Sequence, residues 1–144
     1  MGSARDGVIR IFLVDDHELI RRGFAGLLDS EEGFEVVGEA SSRREALDLV
    51  AVTRPDVVVL DVQLPDGYGV SLCREIRERN ERVRCLILTA FDDEGVLFDA
   101  IRAGASGYLL KTADGTELIE AVRTIGLGGS LFDPSMVERA SRTT

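Results

Sequence analysis

Short β-rich apolar runs alternate with segments of helical period, and this alternation constrains the fold more than any other feature of the chain. Residues 8–14 (VIRIFLV), 34–38 (FEVVG), 57–60 (VVVL), 84–89 (RCLILT) and 106–110 (SGYLL) read as strands. Between them, apolar residues recur every three or four positions. Leu19, Ile20, Phe24, Leu27 and Leu28 mark the first helix, and Ala46, Leu47 and Val50 mark a second within residues 43–52. A third spans about 70–79, a fourth carries Val96, Leu97, Ala100 and Ile101, and Leu118, Ile119, Val122 and Ile125 mark a fifth ending near Gly126. The run 57–60 is apolar on both faces, which suits a central parallel strand covered by helices on both sides. Strands and helices that alternate through short connections form a parallel sheet with right-handed crossovers.

The predicted fold is therefore α/β: a flavodoxin-like (βα)5 arrangement with an open, doubly wound, five-stranded sheet in the order 2-1-3-4-5. Gly104 stops the fourth helix in the manner usual at a helix C-terminus. After Gly126 the pattern changes. Gly128-Gly129 is a flexible break, and Asp133-Pro134 reads as an N-cap and N1 proline for a short helix through about Ala140. The expected organisation is a polar N-terminal extension over 1–7, one domain over 8–126, and a linker segment with a short helix over 127–144.

Composition excludes several classes. The chain has 144 residues, enough for one core, and a net charge of -9, opposite to the basic footprint of a nucleic-acid binder. No stretch is long and apolar enough to span a bilayer, and residues 1–7 lack the apolar core of a secretion signal. Cys73 and Cys85 have no accompanying His/Cys cluster, so they read as reduced core thiols of a cytoplasmic protein rather than as a zinc site or disulfide.

In doubly wound sheets the ligand site lies beyond the carboxyl ends of the strands, where strand order reverses. Asp15 and Asp16 follow the first strand, Asp61 the third, Thr89 ends the fourth and Lys111 follows the fifth. Strands one and three are neighbours at the switch point, so three carboxylates converge. A hard divalent cation neutralises such a group well, and Mg2+ takes one or two carboxylates, waters and phosphate oxygens. A carboxylate at the centre can attack phosphorus and form an acyl phosphate, while an ammonium and a hydroxyl hold phosphoryl oxygens. Singly, each residue has an ordinary reading: acids cap helices, Thr favours strands, and lysines end them. Their joint occurrence at successive strand ends is what those readings do not explain. His17, the lone histidine, sits in the first turn of helix one and reads as helix-start structure.

VDDHELIRRG around Asp15-Asp16, DVQLPDGYG from Asp61, Thr89-Ala90 after CLIL, and AGASGYLLK ending in Lys111 together resemble bacterial response-regulator receiver domains. The forms are similar to the NarL/FixJ (LuxR-type) subfamily and, within it, to dormancy-type regulators of actinobacteria. The resemblance covers about residues 8–126. It implies that Asp61 accepts a phosphoryl group from a sensor histidine kinase. It further implies Mg2+ held by Asp15, Asp16, Asp61 and the backbone carbonyl of Gln63, with Thr89 and Lys111 on the phosphoryl group. Thr89 and Tyr108 match the family's switch pair, and Pro65 and Gly69 its loop after the acceptor. Homodimerisation on phosphorylation and promoter binding through a C-terminal helix-turn-helix domain, which this chain does not contain, are also implied. Thr112 departs from the pattern, since many members have Pro there with a cis bond. A cis Lys111-Thr112 bond would cost about 3–4 kcal/mol.

The alternative is a stand-alone receiver that acts by docking a partner protein. An aspartate-nucleophile phosphatase would need a second Asp two residues after the first, where Gln63 stands. A dinucleotide or flavin site would need a phosphate-binding loop where Asp15-Asp16-His17-Glu18 would repel phosphate.

Overall fold

A computed structural model of the chain describes residues 7–142. In order along the chain its elements are β1 (Ile9–Val14), α1 (Glu18–Asp29), β2 (Phe34–Ala40), α2 (Arg43–Thr53), β3 (Val57–Asp61), β4 (Gln63–Leu64), β5 (Gly67–Tyr68), α3 (Gly69–Arg79), β6 (Arg84–Thr89), α4 (Glu94–Arg102), β7 (Gly107–Leu110), α5 (Gly115–Gly126) and α6 (Pro134–Arg142). Five strands pair in parallel as β2-β1-β3-β6-β7. That is the predicted order 2-1-3-4-5, with β4 and β5 forming a separate small hairpin. The expected extension over 1–7 lies, apart from Gly7, outside the described residues.

Alternate side chains of the sheet feed two apolar layers, as the two-residue period of a strand requires. Phe12, Val14, Val58, Leu60, Cys85 and Ile87 face a layer completed by α2, α3 and α4. Ile11, Leu13, Val57, Val59, Leu86 and Leu88 face one completed by α1 and α5. All of β3 is buried, as its uniformly apolar run suggested. Cys73 and Cys85 are free thiols in the core. Helix starts carry the expected chemistry: Ser42 accepts from Glu45 N, Asp93 from Gly95 N and Val96 N, and Asp114 from Glu117 N.

Three features differ from the sequence expectation or lie beyond it. β2 continues past Gly38 to Ala40, because Glu39 and Ala40 keep pairing with Leu13 and Val14 after a register shift between Ile11 and Phe12. The chain at Gly38 passes so close to the Phe12 ring that a Cβ there would lie 2.6 Å from Cε2. The loop after Asp61 is ordered as the β4–β5 hairpin, Gln63 opposite Tyr68. Finally, α6 does not trail away but packs on α4. Ala140 is fully buried, Arg102 donates to its carbonyl at 2.9 Å, and the Arg139 guanidinium lies over the Phe98 ring. Among the described residues no peptide bond is cis, Lys111-Thr112 included, and no helix is long and apolar enough to cross a membrane.

Candidate functional site

Strand ends deliver the polar residues to one edge of the sheet. Asp15 and Asp16 follow β1, Asp61 closes β3, Thr89 closes β6 and Lys111 follows β7. Asp16, His17, Asp61, Gln63, Pro65, Thr89, Phe91 and Lys111 are among the residues lining one cleft of about 460 Å3. Asp15, Asp61 and Thr89 are buried while Asp16 is exposed. The crevice therefore has a desolvated floor and an acidic rim.

Lys111 closes the floor. Its Nζ lies 2.9 Å from Asp61 Oδ2 and 3.0 Å from Asp15 Oδ2. Burial pushes the Asp61 carboxyl above the ordinary carboxylate range, Lys111 pulls it part of the way back, and the Asp15 charge adds to the rise. For Lys111, burial is the largest influence and lowers its pKa. The hydrogen bonds and charges of Asp61 and Asp15 together outweigh it and hold the ammonium above the usual lysine value. Asp61 also accepts a long 3.4 Å hydrogen bond from Gln63 N.

The loop after β3 needs a glycine at its end. A Cβ on Gly69 would collide with the Asp61 carbonyl, and Gly69 N donates to Val62 O at 2.5 Å. Asp66, at the hairpin tip, accepts from Arg43 N and Arg44 N at the start of α2, which holds its carboxyl below the ordinary range. Tyr68, the last residue of the hairpin, donates to Asp99 Oδ2 of α4 at 2.9 Å. Burial and the Asp99 carboxylate push its phenol up to about 12.

Thr89 and Tyr108 share an acceptor. Thr89 Oγ1 donates to Phe91 O at 3.2 Å, and Tyr108 OH donates to the same carbonyl at 3.1 Å while accepting from Asp93 N at 3.0 Å. The two residues are thus joined through the loop that caps α4, a link that sequence spacing does not reveal. His17 stands at the start of α1, as expected. Its carbonyl starts α1, accepting from Arg21 N, but its ring makes no cap. Instead Nδ1 lies 3.2 Å from Asp15 Oδ1 and 3.4 Å from Asp16 Oδ1.

One ligand atom from each of Asp15, Asp16, His17 and Asp61 falls within 4.8 Å of the other three. Asp15 Oδ2 is buried and ion-paired with Lys111 at 3.0 Å. This oxygen-rich donor set, three carboxylates brought together at one edge of the sheet, fits a hard divalent cation.

Residues 11–123 match the response regulator receiver domain family. The chain belongs to that family. It is 51% identical over 126 residues to the DNA-binding transcriptional activator DevR/DosR of Mycobacterium tuberculosis, covering 88% of this chain and 58% of that protein. It is 40% identical over 129 residues to the oxygen regulatory protein NreC of Staphylococcus carnosus, covering 89% and 59%. The receiver thus spans less than two thirds of the length of these relatives. Among solved structures, a LuxR-family two-component response regulator from Aurantimonas superposes with a TM-score of 0.83 at 36% identity, over 94% of this chain and 96% of that one. The NarL signal receiver domain from Mycobacterium tuberculosis does so with a TM-score of 0.80 at 33% identity, over 84% and 98%. The fold is the flavodoxin-like receiver fold, and phosphorylation on an aspartate is general to such domains.

Proposed function

We propose that Asp61 is the phosphoacceptor of this receiver. The observation that carries the reading is the buried Asp61 carboxylate, 2.9 Å from Lys111 Nζ, in a cleft shared with Asp16 and Thr89. A carboxylate oxygen of Asp61 attacks the phosphorus of a phosphohistidine on a sensor histidine kinase. The P–N bond breaks, its electron pair returns to the imidazole, and an acyl phosphate forms. Lys111 and Thr89 donate to phosphoryl oxygens as negative charge accumulates there. Asp15, Asp16, Asp61 and the Gln63 carbonyl would hold Mg2+, which supplies charge neutralisation between carboxylates and phosphoryl oxygens. Water later attacks phosphorus, the P–O bond to Asp61 breaks, and orthophosphate leaves as the carboxylate is regenerated. The chain thus supports its own phosphorylation and dephosphorylation and is not a turnover enzyme on an external substrate.

The phosphoryl group adds roughly 1.5 to 2 negative charges and three acceptor oxygens. When Thr89 turns to it, Thr89 leaves the Phe91 carbonyl, and Tyr108 repositions against the start of α4. Residues 8–126 form the switch, and 127–144 belong to a linker toward a C-terminal DNA-binding domain, as the transcriptional-activator relative suggests. The output would be homodimerisation and promoter binding by the longer cytoplasmic protein. The test is incubation with acetyl phosphate and Mg2+, read by intact mass. Wild type gains one phosphoryl group and Asp61→Asn does not; labelling of the variant at the wild-type level overturns the assignment.

A further inference from the structure

We propose that Tyr68 is a positioning residue that ties the Gln63 carbonyl, beside the phosphoacceptor, to the docking of α6. The inference rests on the reading of Asp61 as phosphoacceptor with Mg2+ beside it, and adds a route from that site to the last helix. The route begins in the β4–β5 hairpin, where Gln63 pairs directly with Tyr68. A two-residue pairing is barely stable by itself, so the contacts of its ends decide its shape. One such contact is the Tyr68 hydroxyl, which donates to Asp99 Oδ2 of α4 at 2.9 Å. Its phenol is pushed up to about 12, so the hydroxyl stays a donor throughout the neutral range.

From Asp99 the contacts continue without a gap. The Arg102 guanidinium donates to Asp99 Oδ1 at 2.7 Å and, through its other terminal nitrogen, to the Ala140 carbonyl at 2.9 Å. Ala140 is the buried residue of α6. One carboxylate of α4 thus accepts from the hairpin on one oxygen and from Arg102 on the other, and Arg102 holds α6. This chain shares no residue with the Thr89–Tyr108 contact at Phe91 O.

A cation and a phosphoryl group in the cleft draw the Gln63 carbonyl toward them, and Tyr68, paired across the hairpin, follows. Its hydroxyl then leaves Asp99, the Arg102 guanidinium is no longer held from the hairpin side, and α6 loosens from α4. Linkage makes the coupling reciprocal: release of α6 favours the occupied site.

The test is amide exchange across 134–142 in the whole chain, before and during incubation with acetyl phosphate and Mg2+. Intact mass and fragmentation report the label and its position. Labelled wild type should exchange roughly fivefold faster there than unlabelled wild type. Tyr68→Phe should take the label yet show little further change from its own unlabelled state. Glu94→Gln removes an exposed 3.2 Å contact to Arg139 outside the route. It should loosen α6 in both states and keep the ratio, which a general weakening of α6 would not distinguish from Tyr68→Phe. Wild type labelled on Asp61 with unchanged exchange, Tyr68→Phe keeping the full ratio, or Glu94→Gln losing it overturns the coupling and leaves the phosphoacceptor standing. A chain that takes no label on Asp61 overturns both together.

Discussion

The ammonium of Lys111 lies 2.9 Å from Oδ2 of Asp61, across a sequence separation of 50 residues, and it holds together a buried like-charge cluster. The two groups push stability in definable directions. Asp61 binds its proton more readily folded than unfolded, so its contribution is largest in acid. It is lost as pH rises from the ordinary carboxylate value through the raised one. Lys111 contributes stability below the usual lysine value, lost as pH rises through its raised folded value. In the absence of a divalent cation, the Asp61 carboxyl should therefore titrate above the range of an ordinary carboxylate. Lys111→Met removes the countercharge. It should move the Asp61 carboxyl titration, followed by carbon NMR, still higher and slow acetyl-phosphate labelling by roughly 10²-fold.

Asp16 is exposed, so as a proposed ligand of the cation it would serve the site without supporting the core. Asp16→Ala should therefore weaken Mg2+ binding by about tenfold or more with little change in melting temperature. His17→Ala should leave Mg2+ affinity nearly unchanged, because the hard ion uses oxygen. Calorimetric titration of the two variants checks both. Equal losses would mean that the imidazole takes part in holding Mg2+.

Gly69 is required by proximity. A Cβ there would press on the Asp61 carbonyl, and backbone cannot swing aside as a flexible side chain can. Gly69→Ala should cost about 1–3 kcal/mol in urea unfolding and also slow labelling, because the shift is delivered to the acceptor strand. A labelling rate equal to wild type would mean that α3 absorbs the displacement.

The sheet order was legible because the apolar runs and helical segments alternate without interruption, and the fully apolar 57–60 run could only be central. The gathering of Asp15, Asp16, Asp61, Thr89 and Lys111 was legible for the same reason, since topology alone sends strand ends to one edge. What the sequence hid depends on three-dimensional partners. The extent of β2 turns on a register shift beside Phe12, which local pattern does not encode. The β4–β5 hairpin is a two-residue pairing, too short for a periodic signal. The approach of the His17 ring to Asp15 and Asp16 depends on where the β1–α1 turn aims it, which residue spacing does not encode. The α6–α4 contact was hidden too, because Arg102 and Arg139 look like solvated surface charges in sequence.

Arg102 joins the two ends of that contact, pairing with Asp99 at 2.7 Å and donating to the Ala140 carbonyl at 2.9 Å. Asp99 in turn accepts from Tyr68 in the hairpin after Asp61. Arg102→Ala should loosen α6 by about 1 kcal/mol, seen as faster amide exchange across 134–142 with the sheet unchanged. Tyr68→Phe, which removes only the hydroxyl, should have a smaller effect in the same direction.

Thr89 offers the sharpest separation of chemistry from response. Its hydroxyl and that of Tyr108 converge on the Phe91 carbonyl, so the loop capping α4 is held by both. Thr89→Ala removes one donor and leaves Asp61, Lys111 and the acidic residues in place. The variant should still take up a phosphoryl group from acetyl phosphate, more slowly because one phosphoryl-oxygen donor is gone. Tyr108 would keep its own bonds to Phe91 O and Asp93 N, with nothing drawing Thr89 away to disturb them. Phosphorylation should therefore produce little change in the Tyr108 ring resonances or in the mass of the assembly in solution, whereas in wild type it should change both. If phosphorylated Thr89→Ala moved Tyr108 and assembled like wild type, the shared carbonyl would not be the coupling point between the site and α4.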